Sequence, residues 1–308
     1  MENKLQDLAS LPRIIDFLRY GLSYANSQKL YYGHGTDNAW DDIWALVLGS
    51  LYLPLDLDPI LLDAKLTPDE QKYLMEQLKR RVIDRVPVAY LTHQAYFCNM
   101  QFYVDPRVLI PRSPLAEMIQ QQFSPWIETD QVQNILDLCT GSGCIALACC
   151  TAFPDACVDG SDLSAEALAV AEINAQQHGL VDQVNWYLSD GFHQLPVKKY
   201  DIIVSNPPYV GADEMKTLPA EYSHEPHMAL HAETNGLAFV EQILPVAHRY
   251  LSDHGILVVE VGNSEQALVE AYPEVPFVWL DFEYGGHGVF LLTREQLITY
   301  VSENKDKK

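Results

Sequence analysis

Beyond residue 113, short apolar runs alternate with helical patterns, and this alternation limits the possible folds more than any other feature of the chain. Runs at 135–138, 158–160, 184–188, 202–204 and 256–261 are spaced by segments of 3.6-residue periodicity, clearest at 164–178 and 237–251. Strands separated by helix-length segments predict an α/β fold: a Rossmann-like, doubly wound parallel sheet with helices on both faces. Two last runs, 277–282 and 288–292, are joined by only five residues. A connection that short cannot hold a crossover helix, so it predicts an antiparallel pair at the sheet edge. No internal repeat is present.

The first 85 or so residues read differently. Leu5, Leu8, Leu11, Ile15, Leu18 and Leu22 recur at three and four, the apolar face of an amphipathic helix. Segments 41–53 and 68–86 look similar, the latter opened by Thr67 as N-cap and Pro68 at the first helical position. Between the first two helices, Gly33, His34 and Gly35 form a turn before the Asn38 cap; His34 reads as a turn residue. From Tyr90 to Val104 aromatic and β-branched residues, broken at Asn99-Met100, predict a hairpin. Pro106, Pro111 and Pro114 then punctuate a linker. The expected organisation is a helical N-terminal domain over 1–89, hairpin and linker over 90–112, a catalytic domain over 113–302 and a disordered charged tail over 303–308.

Composition sets the class. With 308 residues, 48% hydrophobic and 20% charged, the chain is too apolar for wholesale disorder and long enough for two domains. No apolar run reaches the roughly 18 residues of a spanning helix, and the start lacks a secretory signal, so a cytoplasmic location is expected. Six cysteines without a Cys-x-x-Cys pair lack zinc-site spacing and read as small buried residues in a reducing compartment. Residues 1–112 hold 12 Lys+Arg against 14 Asp+Glu, whereas residues 113–308 hold 8 against 28. So acidic a second part repels a nucleic-acid backbone and suits a basic partner, unless the acidity serves only solubility.

Ligands of such a sheet bind beyond the carboxyl ends of its strands. The first strand ends in Asp137, Leu138, Cys139, Thr140, Gly141, Ser142 and Gly143, where glycines let the backbone approach a ligand. Asp162, nineteen residues beyond Gly143, stands where a carboxylate holds ribose hydroxyls. By spacing alone this also fits a dinucleotide site. Asp137 at the turn would repel a pyrophosphate and suits S-adenosyl-L-methionine, which carries a sulfonium and an ammonium; the alternative is a cap on the turn. Asp190, after the third strand, either accepts from the adenine amino group or caps a helix.

The fourth strand leads into Asn206, Pro207, Pro208 and Tyr209. The prolines stiffen the turn and hold Asn206 extended. An sp² nitrogen is a poor nucleophile that donates two hydrogen bonds in its own plane. The Asn206 side-chain oxygen and the Pro207 carbonyl can accept both, aiming the nitrogen at a methyl group and stabilising its developing positive charge. The Tyr209 ring can cover the planar group. No strong general base is required, because the methylated nitrogen loses its proton to water.

Residues 137–143 with Asn206–Tyr209 resemble the glutamine methyltransferases that modify release factors and ribosomal proteins, and the resemblance extends over essentially the whole chain. Segments 32–37, 109–114, 260–264 and 285–290 and the Cys139 variant of the glycine loop resemble the branch acting on large-subunit ribosomal protein L3. The release-factor branch more often has glycine at that position and differs around Glu260. The resemblance implies a class I methyltransferase sheet with S-adenosyl-L-methionine as donor and S-adenosyl-L-homocysteine as product. It implies cofactor contacts at Cys139–Gly143, Asp162 and Asn206, and substrate contacts at Asn206, Pro207, Pro208 and Tyr209. The implied partner is L3 or an assembling large subunit, with the N-terminal helices helping to choose it. Where related enzymes place an aromatic beside the adenine this chain has Gly191, and Phe192 is the nearest substitute.

Segment 210–231 has little periodicity and reads as a lid. Its His224, His227 and His231 lack the carboxylates and supporting shell of a metal site. Arg112 falls near the cofactor mouth or in an ion pair. Lys79, Arg80, Arg81 and Arg85 read as a solvated helix face, with ribosomal RNA as the other possibility. Alternative functions are a release-factor methyltransferase, a DNA adenine methyltransferase acting on a flipped base, a nicotinamide-dependent oxidoreductase and a non-catalytic cofactor sensor. The acidic second part with no basic stripe argues against DNA. Asp137 argues against the dinucleotide, and a mere sensor has no need of Asn206.

Overall fold

The computed structural model describes residues 11–305; Leu5 and Leu8 of the expected first helix, and residues 306–308 of the expected tail, lie outside them. The described chain divides into two compact units. One holds the residues up to Ala95 together with Val104–Pro106 and Pro219–His224; the other holds Tyr96–Tyr103, Arg107–Leu218 and the chain from Glu225 onward.

The first unit is helical. α1 (Ile14–Ser27), α2 (Ala39–Ser50), α3 (Pro68–Val82) and α4 (Val88–Thr92) close on a core that includes Phe17, Leu18, Ile43, Leu46, Leu74 and Leu78. Asn38 caps α2 by accepting from the Asp41 N–H at 3.0 Å. Thr67 and Glu70 cap α3 reciprocally, with Pro68 inside the first turn. α3 stops at Val82, four residues short of the expected end: Arg85 takes a left-handed φ of 63° and Pro87 disfavours a helical Val86.

Arg81 corrects the reading of a solvated basic face. It follows Leu74 and Leu78 at helical spacing, so it turns inward and is only 2% exposed. Its Nε donates to Asp42 Oδ2 at 2.7 Å, its Nη2 to the Tyr31 carbonyl at 2.9 Å, and its Nη1 stands 3.5 Å from Glu221 Oε1. Lys79 and Arg80 are exposed, and Arg85 is half-buried beside Glu221. His34 is likewise buried, edge-on to the Tyr222 ring at 4.6 Å.

The second unit carries the sheets. β1 (Ala95–Phe97) and β2 (Met100–Phe102) form a hairpin shorter than expected, turning at Cys98 and Asn99, both with positive φ; Tyr90–Thr92 are helical. α5 (Leu115–Gln120) leads to β3 (Asn134–Leu138), α6 (Cys144–Ala152), β4 (Cys157–Asp162), α7 (Ala165–His178), β5 (Val184–Leu188) and β6 (Tyr200–Ser205). Three four-residue turns follow, α8 (Ala212–Met215), α9 (His227–Leu230) and α10 (Glu233–Gly236), and then α11 (Ala238–Ile243). The expected single helix over 237–251 does not form, because Pro245 supplies no N–H to continue it; Leu251 already begins β7 (Leu251–Glu260). α12 (Glu265–Ala271), β8 (Val278–Trp279), β9 (Val289–Thr293) and α13 (Arg294–Lys305) complete the unit. α13 takes in Glu303 to Lys305, which the sequence pattern assigned to a disordered tail.

The main sheet has seven strands in the order β5-β4-β3-β6-β7-β9-β8, parallel from β5 to β7, with β9 antiparallel to both β7 and β8. Ile135, Ile202, Val204 and Val258 face one core, and Leu136, Leu138, Ile203 and Leu257 the other. Burial of both faces explains why these strands read as continuous apolar runs. The chain winds outward from β3 to β5, then returns to lay β6 on the other side of β3. Leu138 stands opposite Ser205 in that pairing, so the segments after β3 and β6 leave the sheet side by side. That topological switch is where doubly wound sheets open a crevice.

Candidate active site

The segment after β3 is held from beneath. Asp137 is fully buried; its Oδ2 accepts from the Thr140 hydroxyl and, at 3.1 Å, from the Ala146 N–H in the first turn of α6, and its Oδ1 has no hydrogen-bond partner among the described residues. Burial pushes its carboxyl up to about 7, against the hydrogen bonds from Thr140 and Ala146 that favour the charged form. Cys139 takes φ 60°, the left-handed region in which glycine is unstrained and in which the release-factor branch more often has glycine. Gly141 has φ 55°, and a Cβ there would meet nothing within 4 Å. One side of this segment is therefore open space.

Asp162 ends β4 and ties the neighbouring elements together, Oδ2 accepting from the Gly141 N–H and Oδ1 from the Ser164 N–H, each at 2.9 Å. Burial raises its pKa, and the backbone donors of Ser164, Gly141 and Leu163 oppose the rise. Asp190, exposed, accepts from Gln242 Nε2 at 2.9 Å.

Across the switch, the turn after β6 is fixed from the end of β7. The Tyr209 hydroxyl donates to Glu260 Oε1 at 2.8 Å, and the Ser113 hydroxyl donates to Glu260 Oε2 at 2.5 Å. Glu260 is buried, which pushes it up to about 6 despite these donors and the nearby Arg112. The Tyr209 ring lies on Gly262, where φ is 46° and a Cβ would come within 2.6 Å of the ring. Asn206 is half-buried, and among the described residues its side chain makes no hydrogen bond, which leaves its amide available.

A cavity of about 360 Å³ opens between these segments, within the range of small-molecule sites. Cys139, Thr140, Gly141, Ser142, Asp162, Asp190, Asn206 and Pro208 line it. Asp137, Gly143, Pro207 and Tyr209 do not: Asp137 lies under the loop, Gly143 begins α6 behind it, and Tyr209 lines a second cavity of about 410 Å³. The carboxylates placed to repel a pyrophosphate are thus those of Asp162 and Asp190, which line the cavity, and not that of Asp137.

Phe192 is not a stacking platform in the cavity. It is buried against Tyr250, rings stacked at 4.3 Å, as part of the core. At Gly191 the φ of 53° disfavours a side chain, and a Cβ would come within 3.0 Å of Gln242 Nε2. Leu163, Phe239 and Gln242 line the cavity instead, none of them singled out from sequence, since all sit in ordinary helical or loop patterns. Arg112 is both things expected of it: it lines the cavity and grips the buried Glu225 through Nη1 at 2.7 Å and Nη2 at 2.6 Å. His224 donates to the Asp84 carbonyl at 2.8 Å, while His231 lines the cavity beside His227. Among the described residues no His, Cys, Asp or Glu group could hold a metal ion. Cys149 and Cys150 are buried as expected, whereas Cys157 is exposed.

Comparison with known proteins decides the family. The methyltransferase small domain model matches residues 118–222. A ribosomal protein uL3 glutamine methyltransferase of Francisella tularensis is 43% identical over 301 residues, 97% of this chain and 96% of the relative. The chain belongs to that family. A second member, from Neisseria meningitidis serogroup B, is 46% identical over 294 residues, covering 95% of this chain and 97% of the relative. The seven-stranded sheet is the class I methyltransferase fold, and the chain is an S-adenosylmethionine-dependent methyltransferase. Residues after β3 (Cys139–Ser142) and after β6 (Asn206 and Pro208) line the same cavity at the β3/β6 switch. No helix among the described residues is long and apolar enough to cross a membrane.

Proposed function

We propose that this chain transfers a methyl group from S-adenosyl-L-methionine to the side-chain amide nitrogen of a glutamine in ribosomal protein uL3, free or in an assembling large subunit, in the cytoplasm. The observation that carries this reading is the uncommitted Asn206 amide in the wall of the cavity that Gly141 and Asp162 also line. The donor fits the residues present. Cys139 to Ser142 line one wall, Asp162 offers its remaining lone pairs to ribose hydroxyls, and Asp190 with Gln242 offers an acceptor and a donor to a purine edge. Bound there, the donor supplies an electrophilic methyl group.

The chain's own residues orient the acceptor. Asn206 Oδ1 and the Pro207 carbonyl accept the two amide hydrogens, which holds the amide plane fixed and turns its nitrogen toward the glycine-loop wall. Asn206 sits part-buried in the cavity wall and Pro207 is buried behind it, so charge developing on that nitrogen is poorly screened and the acceptors stabilise it more than water would. Tyr209, tied down by Glu260, keeps the turn rigid from behind. The methylated nitrogen gives its extra proton to water. Asp137 acts at one remove, by clamping Thr140 and the first turn of α6.

The test is transfer of labelled methyl from S-adenosyl-L-methionine to purified unmodified uL3, with release factor and DNA as controls. Label should appear on one glutamine of uL3 and vanish with Asn206→Ala. Label on DNA or release factor and not on uL3 would sink the reading.

A further inference from the structure

The second cavity, of about 410 Å³, shares Arg112 and Ser113 with the first, so the two meet at that wall. On the far side of the meeting point lie Tyr209, Tyr284, Glu117 and Gln120. Three features of this cavity bear on its occupant.

The first is the loop that carries Tyr284. Its tyrosine is 84% exposed, and Gly285 and Gly286 follow with φ of 89° and 104°. The loop is nonetheless pinned: Glu117 accepts from the Glu283 N–H at 2.9 Å and from the Tyr284 N–H at 3.4 Å, and Gly286 sits so close to Pro114 that a Cβ would come within 2.7 Å. A ring held out to solvent on a fixed backbone is pre-organised for a partner. The second is Gln120, exposed on α5, whose amide makes no hydrogen bond among the described residues. A primary amide offers one acceptor and two donors, the complement of a peptide group. The third is charge. Arg112 is the one cation among the lining residues and is already gripped by Glu225, whereas the loop adds the exposed carboxylates of Asp281 and Glu283.

From these we infer that the second cavity is the acceptor-peptide site, in which Tyr209, Tyr284 and Gln120 hold the main chain next to the target glutamine of a cationic protein. This rests on the function proposed above and adds to it where the acceptor approaches: the glutamine side chain passes the Arg112–Ser113 wall to reach Asn206, while its backbone stays between the tyrosine-bearing walls. Asp281 and Glu283 then favour basic residues in the flanking sequence by screened attraction.

The experiment uses the full chain with unmodified uL3. Tyr284→Ala and Gln120→Ala change exposed side chains only, so both variants fold. Each should raise the KM for uL3 about tenfold with kcat little changed, and both should bind S-adenosyl-L-methionine as the wild type does by calorimetry. Benzoylphenylalanine placed at position 284 should crosslink, on illumination, to the uL3 segment flanking the methylated glutamine. Unchanged KM in both variants, or crosslinks only to distant parts of uL3, overturns the inference. A wild-type enzyme that leaves uL3 unmethylated instead overturns the function itself, and the two failures are thereby told apart.

Discussion

The phenol of Tyr209 donates to Glu260 Oε1 at 2.8 Å, joining the turn after β6 to the end of β7. The register places the strands for this: Ser205 pairs with Val259, so the next residues, Asn206 and Glu260, leave adjacent strands together. The same carboxylate holds Ser113 on its other oxygen. Glu260 thereby fixes the turn that presents Asn206 without itself lining the cofactor cavity.

Tyr209→Phe removes that bond and leaves a buried carboxylate oxygen short of a donor. A hydrogen bond to a charged acceptor contributes about 1.5–3 kcal/mol, so kcat for uL3 methylation should fall roughly 10- to 100-fold. Affinity for S-adenosyl-L-methionine should be retained, since Tyr209 does not line that cavity. Steady-state kinetics with calorimetry checks both; equal losses in kcat and cofactor affinity would contradict the assigned role.

Gly262→Ala attacks the same ring from its other side. At φ 46°, with the new Cβ 2.6 Å from the Tyr209 ring, the substitution both strains the backbone and displaces the phenol. Overpacking of this kind costs about 1–3 kcal/mol, and kcat should drop about tenfold or more. Denaturant unfolding and turnover measured on one preparation make the comparison.

Asp137 makes stability depend on pH in a defined direction. Its carboxyl ionises near 3.8 in an unfolded chain and about 7 when folded. Its favourable contribution is therefore fully present below pH 3.8 and is lost as the pH rises through 7, an amount of about 4 kcal/mol. Asp137→Asn cannot ionise, so relative to the wild type it should gain about that much between pH ~4 and pH ~8. Urea unfolding at the two pH values reads the difference, and a gap that does not move with pH would refute it.

Arg81→Met leaves Asp42 buried without its cation and Glu221 with Arg85 alone. Asp42 is already pushed up by burial despite Arg81, so its burial is tolerated only because the guanidinium is there. Breaking a buried pair from one side costs about 3–5 kcal/mol. Adding Asp42→Asn to Arg81→Met should recover part of that loss, measured by unfolding of the single and double variants.

Arg112→Ala does the same to Glu225, whose side chain is wholly buried and which also accepts from the Ile110 N–H at 3.0 Å. The variant should lose about 3–5 kcal/mol of stability. Arg112→Lys should recover only part of it, because an ammonium cannot make the two parallel bonds of the guanidinium. Thermal unfolding of the three proteins ranks them.

What the sequence by itself determined was the part governed by short-range rules. The alternation of apolar runs and helical segments specified the doubly wound sheet, because both faces of each parallel strand must be apolar. The short connection before β9, five residues by pattern and nine between the observed strands, specified the antiparallel edge, because no crossover fits in it. Thr67-Pro68 marked the start of α3, and Asn206–Tyr209 marked the turn after β6 to which the proposed chemistry is assigned. Only the tertiary structure decided how burial falls on residues whose type does not predict it. Arg81 and Glu225 are inside because a partner from a distant segment compensates each charge. Asp137 lies beneath the cofactor loop, and Phe192 is in the core because Tyr250 stacks on it. Glu260, fifty-four residues after Asn206, became part of the site only when β7 was laid beside β6. Partner choice of this kind depends on contacts between residues far apart in sequence, and local pattern carries no record of them.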